Sequence, residues 1–183
     1  MNRPFRQFLQ RTVEFPLLQR LGLREEGQDI LEVGCGSGYG AVLLARLHPH
    51  GYVGIDLMPE QIALAQNRKL TNAEFLVRDA ADLHCCWDGS KDVVVIFGVL
   101  HHIPAWREVI TEIHRVLKPG GKLFVEEPDG RYVGTFDRFF HWGHPPAGLF
   151  RLKDFETYLS GHGFKIHRRV RTLGFGLYAL EKV

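Results

Sequence analysis

A strand-like run that ends in a glycine-rich turn constrains this chain more than any other feature. Four glycines occupy alternate positions from Gly34 to Gly40, directly after the apolar run Ile30–Val33 and before residues 41–47, which have helical spacing. Glycine tolerates positive φ and lets a ligand approach the backbone closely. In an open parallel sheet, ligands bind at the carboxyl ends of the strands. The sequence therefore predicts a ligand site after the first strand of an α/β fold.

Apolar runs and amphipathic segments alternate over residues 28–127, which predicts a parallel sheet with helices on both faces. The predicted strands cover residues 30–33, 52–56, 75–77, 92–97 and 122–126, and the predicted helices cover residues 41–47, 59–69, 104–117 and 152–160. Residues 164–171 and 176–182 are close in sequence and predict an antiparallel hairpin at the sheet edge. The predicted fold class is α/β, a doubly wound, Rossmann-like sheet with a terminal antiparallel hairpin.

The chain is expected to form a single domain, because 183 residues suffice for one hydrophobic core. Its predicted parts are an N-terminal helix and linker (1–27), a ligand-binding core (28–127), a lid segment (128–151), and a helix with the C-terminal hairpin (152–183). Pro16 is expected to end or kink the helix predicted over residues 3–21. The apolar positions of that helix are Phe5, Phe8, Leu9, Val13, Leu17, Leu18 and Leu21.

Composition and charge exclude several classes of protein. A net charge of +2 gives no strongly basic surface and so no strong signal for nucleic acid. Three cysteines, two of them adjacent, cannot form a disulfide framework or a zinc site from thiolates alone. The N-terminus has no apolar signal region, and the longest apolar run, Val93–Leu100, is too short to span a bilayer. We expect a cytoplasmic protein, and the sequence does not define its oligomeric state.

Three carboxylates, each in or just after one of the first three predicted strands, indicate the type of ligand. Glu32 favours a ligand that carries positive charge, such as an ammonium or a sulfonium. Asp56 is placed to accept hydrogen bonds from ribose hydroxyls, and Asp79 from the exocyclic amine of a purine. An amino-acid nucleoside fits these three groups better than a dinucleotide does.

Two alternative interpretations stay open at this point. Gly36, Gly38 and Ala41 satisfy the relaxed dinucleotide fingerprint, which is typical of an NAD(P)-dependent oxidoreductase. The other alternative is a non-catalytic module that binds a nucleoside. An oxidoreductase would be insensitive to replacement of Glu32 by glutamine, whereas a non-catalytic module would have no substrate pocket under residues 129–150.

Motifs that occur in order along the chain resemble those of the class I S-adenosylmethionine-dependent methyltransferases of small-molecule type, the methyltransferase-11-like group. Residues 30–38 (ILEVGCGSG) resemble the first motif, residues 53–56 (VGID) the ribose-binding motif, and residues 77–80 (VRDA) the adenine-side motif. Residues 92–102 (DVVVIFGVLHH) resemble the fourth-strand motif, and residues 117–123 (LKPGGKL) the turn into the fifth strand. The resemblance implies a seven-stranded sheet of order 3-2-1-4-5-7-6. It also implies S-adenosylmethionine as cofactor and S-adenosylhomocysteine as product.

The resemblance implies roles for individual residues as well. The expected cofactor-binding residues are Glu32, Gly34, Cys35, Gly36, Gly38, Asp56, Leu57, Met58, Asp79, Ala80, Phe97 and Gly98. Glu32 and the glycine turn would hold the methionine part, Asp56 the ribose and Asp79 the adenine amine. Met58 would either lie against the adenine ring or serve as a core methionine. Phe97 and Gly98 would line the pocket near the reactive methyl group.

Candidate catalytic groups follow the fourth and fifth strands. A methyltransferase needs a general base only when its nucleophile must lose a proton. His101 and His102 are candidates because histidine titrates near neutrality, although the pair would equally end the strand and start the next helix. Glu126 and Glu127 end the fifth strand, and adjacent strand residues point to opposite faces, so only one is expected to reach the pocket. We include Glu127 with the two histidines as the candidate set.

Residues 129–150 are rich in aromatic side chains and turn residues, which predicts a cover over an apolar substrate or simple packing onto the domain. The candidate substrate residues are Phe139, His141 and Trp142. His141 and His144 could join the histidines at 101 and 102 in a metal site, but histidine spacing alone does not define one, and no metal is predicted. The predicted reaction is methyl transfer to an oxygen, nitrogen or carbon of a small, partly apolar acceptor.

Overall fold

A seven-stranded sheet organises the molecule. The computed structural model describes residues 4–140, 144–172 and 174–183. The strands are β1 (Asp29–Val33), β2 (Gly51–Asp56), β3 (Ala73–Val77), β4 (Lys91–Phe97), β5 (Leu117–Pro128), β6 (Phe164–Arg171) and β7 (Phe175–Lys182). Their spatial order is β3-β2-β1-β4-β5-β7-β6, with β7 antiparallel to both of its neighbours and the remaining pairs parallel. The predicted fold class and strand order are confirmed.

Helices connect the strands and cover both faces of the sheet. They are α1 (Pro4–Leu9), α2 (Phe15–Leu21), α3 (Tyr39–Leu44), α4 (Pro59–Gln66), α5 (Trp106–Val116), α6 (Gly130–Phe140) and α7 (Leu152–Gly161). Short 3-10 turns span Ala45–Leu47, Leu100–His102 and Pro146–Gly148. Among the described residues, no helix has the length and apolar character needed to cross a membrane.

The central strands are apolar on both faces because a core layer lies on each side of the sheet. Successive side chains of β1 alternate between these layers, with Leu31 in one and Ile30 in the other. Trp106 of α5 belongs to the first layer, whereas Phe15 of α2 and Leu43 of α3 belong to the second. Both layers exclude water from β1 and β4, so the carboxyl ends of these strands form a rigid edge that can position a site.

The N-terminal helix changes geometry just before Pro16. A π-helical segment, Gln10–Glu14, joins α1 to α2 without a break. Proline has no amide N–H and its ring crowds the carbonyl four residues earlier, and a wider turn accommodates both effects. Part of the predicted apolar face is wrong as a result. Phe8 and Val13 are 59% and 45% exposed, while both end residues of the π-helical segment are buried.

The segment after β5 begins with a helix, although its composition predicted mainly turns. The buried Asp129 accepts a hydrogen bond from the backbone N–H of Arg131 at 3.0 Å and begins α6, where a turn-rich cover was expected. Phe150 lies in the core, with its ring centroid 4.9 Å from that of Trp106 and 4.8 Å from that of Phe155. Its aromatic ring therefore packs onto the body of the fold.

Candidate functional site

A cavity of about 690 Å³ lies at the carboxyl ends of β1, β4 and β5. The N-terminal helix covers it from one side and α6 from the other, through residues such as Leu9 and Val133. Its volume falls within the range of about 300–1,000 Å³ that is typical of small-molecule sites. Most of its wall is apolar, and its few charged side chains are concentrated on the strand ends and on the N-terminal helix.

The glycine turn forms one wall of this cavity. Gly34, Gly36 and Gly38 have φ values of +71°, +52° and +74°, a conformation that other residues rarely adopt. The backbone N–H of Cys35 donates to Ile55 O at 2.9 Å, which ties the turn to β2. A side chain at Gly34 would overlap Val99, whereas the space beside Gly36 is open. The turn thus presents backbone to the cavity where a ligand can reach it.

Glu32 lies in the cavity wall next to this turn. Its side chain is 2% exposed, and the hydroxyl of Tyr52 donates to Oε2 at 2.7 Å. Burial raises the pKa of Glu32 from 4.5 to about 8, the charge of Asp56 adds to the rise, and the hydrogen bond from Tyr52 opposes it. A Cβ atom on Gly40 would overlap the Glu32 carboxylate. Glycine at position 40 therefore leaves room for a buried acid whose charged form needs a cationic or N–H donor partner.

Asp56 fastens the turn from the end of β2. Its carboxylate accepts hydrogen bonds from the backbone N–H groups of Gly36 and Met58, each at 2.9 Å. The residue is 7% exposed. Two carboxylate oxygens offer about four acceptor positions, so Asp56 retains capacity for ligand hydroxyls.

Asp56 and the predicted adenine-side residues lie outside the lining of the main cavity, at the ends of β2 and β3. Leu57 and Met58 are 67% and 45% exposed, so Met58 is not a core methionine. Asp79 is exposed and accepts a hydrogen bond from the Ala81 N–H at 2.9 Å, and Ala80 is buried beside it. Exposed apolar side chains next to a fixed carboxylate suit a flat ring with an amine edge.

Glu127 and His101 form a buried pair behind the end of β4. The Glu127 carboxylate, with no exposed surface, accepts from the backbone N–H groups of Val99 and Leu100 at 2.8 and 2.7 Å. Its other oxygen lies 2.8 Å from His101 Nδ1. An ionised carboxylate only accepts, so in that form Glu127 pairs with a His101 ring that carries a proton on Nδ1. His101 lines the cavity, whereas Glu127 does not.

Three histidines gather at the mouth of the cavity. The ring centroids of His101 and His102 are 4.1 Å apart, and that of His144 lies 4.7 Å from His102 and 5.3 Å from His101. One nitrogen from each ring lies within 4.8 Å of the others, a grouping that could hold a metal ion. The predicted substrate residues His141 and Trp142 lie outside the described residues, as does the side chain of Phe139 in α6.

A second charged group in the cavity was not foreseen from the sequence. Arg6 of α1 forms an ion pair with Glu14 of the π-helical segment and also lies 3.4 Å from Glu126 Oε2. Burial raises the pKa of Glu126 well above its ordinary value, and the charge of Glu14 adds to this while Arg6 opposes it. Glycine at position 98 leaves room for the contact between Arg6 and Glu126, because a Cβ atom there would lie 2.8 Å from Glu126 Oε2. No sequence signal brought these three charged residues together, because Glu126 lies far along the chain from Arg6 and Glu14.

The strand order separates this fold from the dinucleotide-binding fold, whose order is 3-2-1-4-5-6, and defines a Rossmann-like methyltransferase architecture. The family model described as a methyltransferase domain matches residues 31–125. The chain belongs to this methyltransferase domain family, within the class whose cofactor is S-adenosylmethionine, as the sequence resemblance implied. The interpretation as a nicotinamide-dependent oxidoreductase is not supported.

Similar proteins agree with this assignment. The chain is 34% identical over 152 residues to the O-methyltransferase rstn1 of Aspergillus nomiae, covering 76% of this chain and 65% of that one. It is 45% identical over 100 residues to a phthiotriol/phenolphthiotriol dimycocerosates methyltransferase of Mycobacterium leprae, covering 53% and 36%. The chain thus spans between 36% and 65% of the length of these relatives. A solved S-adenosylmethionine-dependent methyltransferase from Aquifex aeolicus superposes with a TM-score of 0.79 over 100% of this chain and 95% of that one. At 20% identity, this likeness shows the fold alone.

Proposed function

We propose that the protein transfers the methyl group of S-adenosylmethionine to an oxygen, nitrogen or carbon of a small, partly apolar molecule. The observation that carries the proposal is the buried Glu32 side chain beside the positive-φ glycine turn, in a cavity whose wall is mostly apolar. The cofactor, when bound, supplies a methyl group already activated on a sulfonium. The protein's own task is to bind both partners, align them and exclude water.

The residues around the turn fit this cofactor. Glu32 offers a carboxylate to a cationic ligand, and Asp56 has free acceptor positions for ribose hydroxyls. Gln61 Oε1 is buried without a hydrogen-bond partner among the described residues, 3.9 Å from where a side chain on Gly36 would begin. An unpaired buried acceptor beside an open glycine is the kind of group that a ligand hydroxyl or amine satisfies.

The adenine side of the proposed site is more exposed. Leu57 and Met58 would cover the faces of the ring, with Asp79 and Ala80 at its edge. Phe97, the last residue of β4, lines the cavity with Gly98 and would stand where the transferred methyl group meets its acceptor. Gly34, Gly36 and Gly38, with Cys35 between them, would face the methionine part.

The proposed acceptor site is the part of the cavity lined by side chains of the N-terminal helix, α6 and the start of β7, which we call the apolar chamber. Leu9, Tyr132, Val133 and Phe175 line it, and they come from the N-terminal helix, α6 and the start of β7. Such a lining favours a flat or aliphatic molecule over a strongly charged one. The candidates Phe139, His141 and Trp142 belong to the same stretch of chain and stay a prediction for this acceptor site.

We assign the general-base role to His101, for an acceptor that must lose a proton. Glu127 positions the ring through Nδ1, so that Nε2 is the nitrogen available to a substrate proton. Glu127 itself is a positioning residue, because it is fully buried and does not line the cavity. His102 is exposed beside His101, where it can contact an acceptor at the cavity mouth.

The test is transfer of a labelled methyl group. Purified protein is incubated with deuteriomethyl-labelled S-adenosylmethionine and a small-molecule cell extract, and labelled products are sought by mass spectrometry. The account predicts a labelled product with wild type and with the surface control Glu26→Gln, and a much weaker one with Glu32→Gln. If wild type binds S-adenosylhomocysteine but labels nothing, the chain is a non-catalytic nucleoside-binding module.

A further inference from the structure

Three side chains at one end of the cavity form a charged cluster. Arg6 contacts the Glu14 carboxylate through Nη1, while its Nη2 lies 3.3 Å from Phe97 O and 3.4 Å from Glu126 Oε2. All three side chains line the cavity. Glu126 is 3% and Glu14 is 9% exposed, so both carboxylates are held away from bulk water. The guanidinium of Arg6 is therefore already occupied by groups of the protein itself.

One carboxylate oxygen of this cluster has no hydrogen-bond partner within the described part of the chain. Glu14 Oε1 accepts from Arg6, whereas Glu14 Oε2 is buried with no hydrogen-bond partner among the described residues. A buried acceptor without a donor destabilises the folded state, so native structures seldom leave one unless something else satisfies it. A donor supplied by a molecule in the cavity would satisfy it.

The charged side chains that line the cavity indicate what kind of hydrogen-bond donor a bound molecule would carry. Among the described lining residues, Glu14, Glu32 and Glu126 are acidic, and Arg6 carries the one permanent positive charge. Arg6 already lies between two acidic side chains, so a ligand carboxylate would place a third acidic group around a single positive charge. An anionic group at this end would face the Glu14 carboxylate in a water-poor environment, whereas an amine or a hydroxyl would donate to its unpaired Oε2.

We propose that Glu14, together with Glu126, forms the polar end of the acceptor site and selects an acceptor that presents a hydrogen-bond donor, an amine or a hydroxyl, on an apolar skeleton. Molecules that end in a carboxylate are excluded. This inference rests on the proposed function, because it takes the apolar chamber to be the acceptor site. It adds the substrate's chemical class and a specificity-determining residue, Glu14.

The test compares three probes that differ only in their end group: decylamine, 1-decanol and decanoate. Each is titrated calorimetrically into protein saturated with S-adenosylhomocysteine at pH 7.5. Wild type and the exposed control Glu26→Gln should bind decylamine at least about tenfold more tightly than decanoate, with 1-decanol between them. Glu14→Gln keeps an acceptor oxygen but loses the charge, so it should weaken decylamine about tenfold and 1-decanol less. Glu126→Gln should also reduce the preference for decylamine over decanoate.

Binding of S-adenosylhomocysteine is measured in every variant and serves two purposes. It verifies that each variant is folded, and it separates the two proposals, because a wild type that does not bind it refutes the proposed function. If wild type binds it but prefers decanoate, or binds none of the three probes, the inference about Glu14 is wrong. It is also wrong if Glu14→Gln weakens S-adenosylhomocysteine as much as decylamine, since Glu14 would then contact the cofactor.

Discussion

Replacing Glu32 by glutamine should remove a pH-dependent loss of stability and, at the same time, weaken cofactor binding. Glu32 is buried next to the glycine turn with one hydrogen bond, from the hydroxyl of Tyr52. Burial raises the pKa of this carboxyl from 4.5 to about 8. Glutamine has nearly the same shape and carries no charge at any pH, so it isolates the effect of ionisation.

The sign and size of the effect follow from proton binding. In the unfolded chain the carboxyl loses its proton near its ordinary pKa of 4.5, whereas in the folded protein it keeps the proton until about pH 8. Between these values the folded state binds more protons, so the free energy of unfolding decreases as pH rises. Each tenfold change in proton affinity is about 1.4 kcal/mol, so wild type should lose about 3 kcal/mol between pH 5 and pH 8 through Glu32.

Urea unfolding at pH 5 and pH 8 measures this loss in wild type, Glu32→Gln and the control Glu26→Gln. The raised pKa of the buried Glu126 has no contribution from Glu32, so its effect cancels in the comparison. Glu32 does raise the pKa values of Cys35 and Tyr52, but both groups stay protonated over this pH range. Wild type and the control should each lose about 3 kcal/mol more than Glu32→Gln. In calorimetry, Glu32→Gln should bind S-adenosylhomocysteine more weakly by about 1.5–3 kcal/mol, the value of a hydrogen bond to a charged group. If the free energy of unfolding depends equally on pH in all three proteins, Glu32 does not have a raised pKa in the folded state.

Three further variants test the site. Gly40→Ala places a Cβ atom against the Glu32 carboxylate, so thermal unfolding should show a loss of about 1–3 kcal/mol and calorimetry a loss of S-adenosylhomocysteine binding. Asp56→Ala should weaken that binding by about 1–3 kcal/mol, and unchanged affinity would rule out its ribose role. Glu127→Gln keeps one acceptor oxygen but sets an amide NH2 against the backbone N–H and the Nδ1 of His101, so stability should fall by about 1–3 kcal/mol in urea unfolding. Once an acceptor is known, the kcat of Glu127→Gln for that acceptor should fall by a larger factor than its KM rises, because His101 loses the carboxylate that orients its ring. A pH–rate profile identical to that of wild type would contradict this role.

Much of the fold is predictable because local signals agree with one another. Strands β1 and β4 are short apolar runs bounded by glycines, and α5 has a clean apolar face that stops before Pro119. Two elements were not predictable for physical reasons. The π-helical segment depends on how the chain accommodates Pro16, which shifts the buried face by a fraction of a turn. Helix α6 lies in a sequence rich in glycine and aromatic residues, and the capping by Asp129 decides its start.

The functional site, like the fold, was only partly predictable from the sequence. Motif residues such as Glu32 and Asp56 could be located from the sequence because each is tied to a strand end and a glycine turn. The cluster of Arg6, Glu14 and Glu126 could not, because it joins segments more than 100 residues apart. Of two adjacent glutamates, the sequence analysis chose Glu127 as the catalytic candidate. In the structure, Glu126 lines the cavity and Glu127 does not.

The central claim is that the cavity beside the glycine turn binds S-adenosylmethionine. Calorimetric titration of the purified protein with S-adenosylhomocysteine, and separately with NAD, tests it most directly. We expect saturable binding of S-adenosylhomocysteine with one site per chain, lost or greatly weakened in Glu32→Gln, and no binding of NAD. Binding of NAD alone, or binding of S-adenosylhomocysteine that Glu32→Gln leaves unchanged, would contradict it.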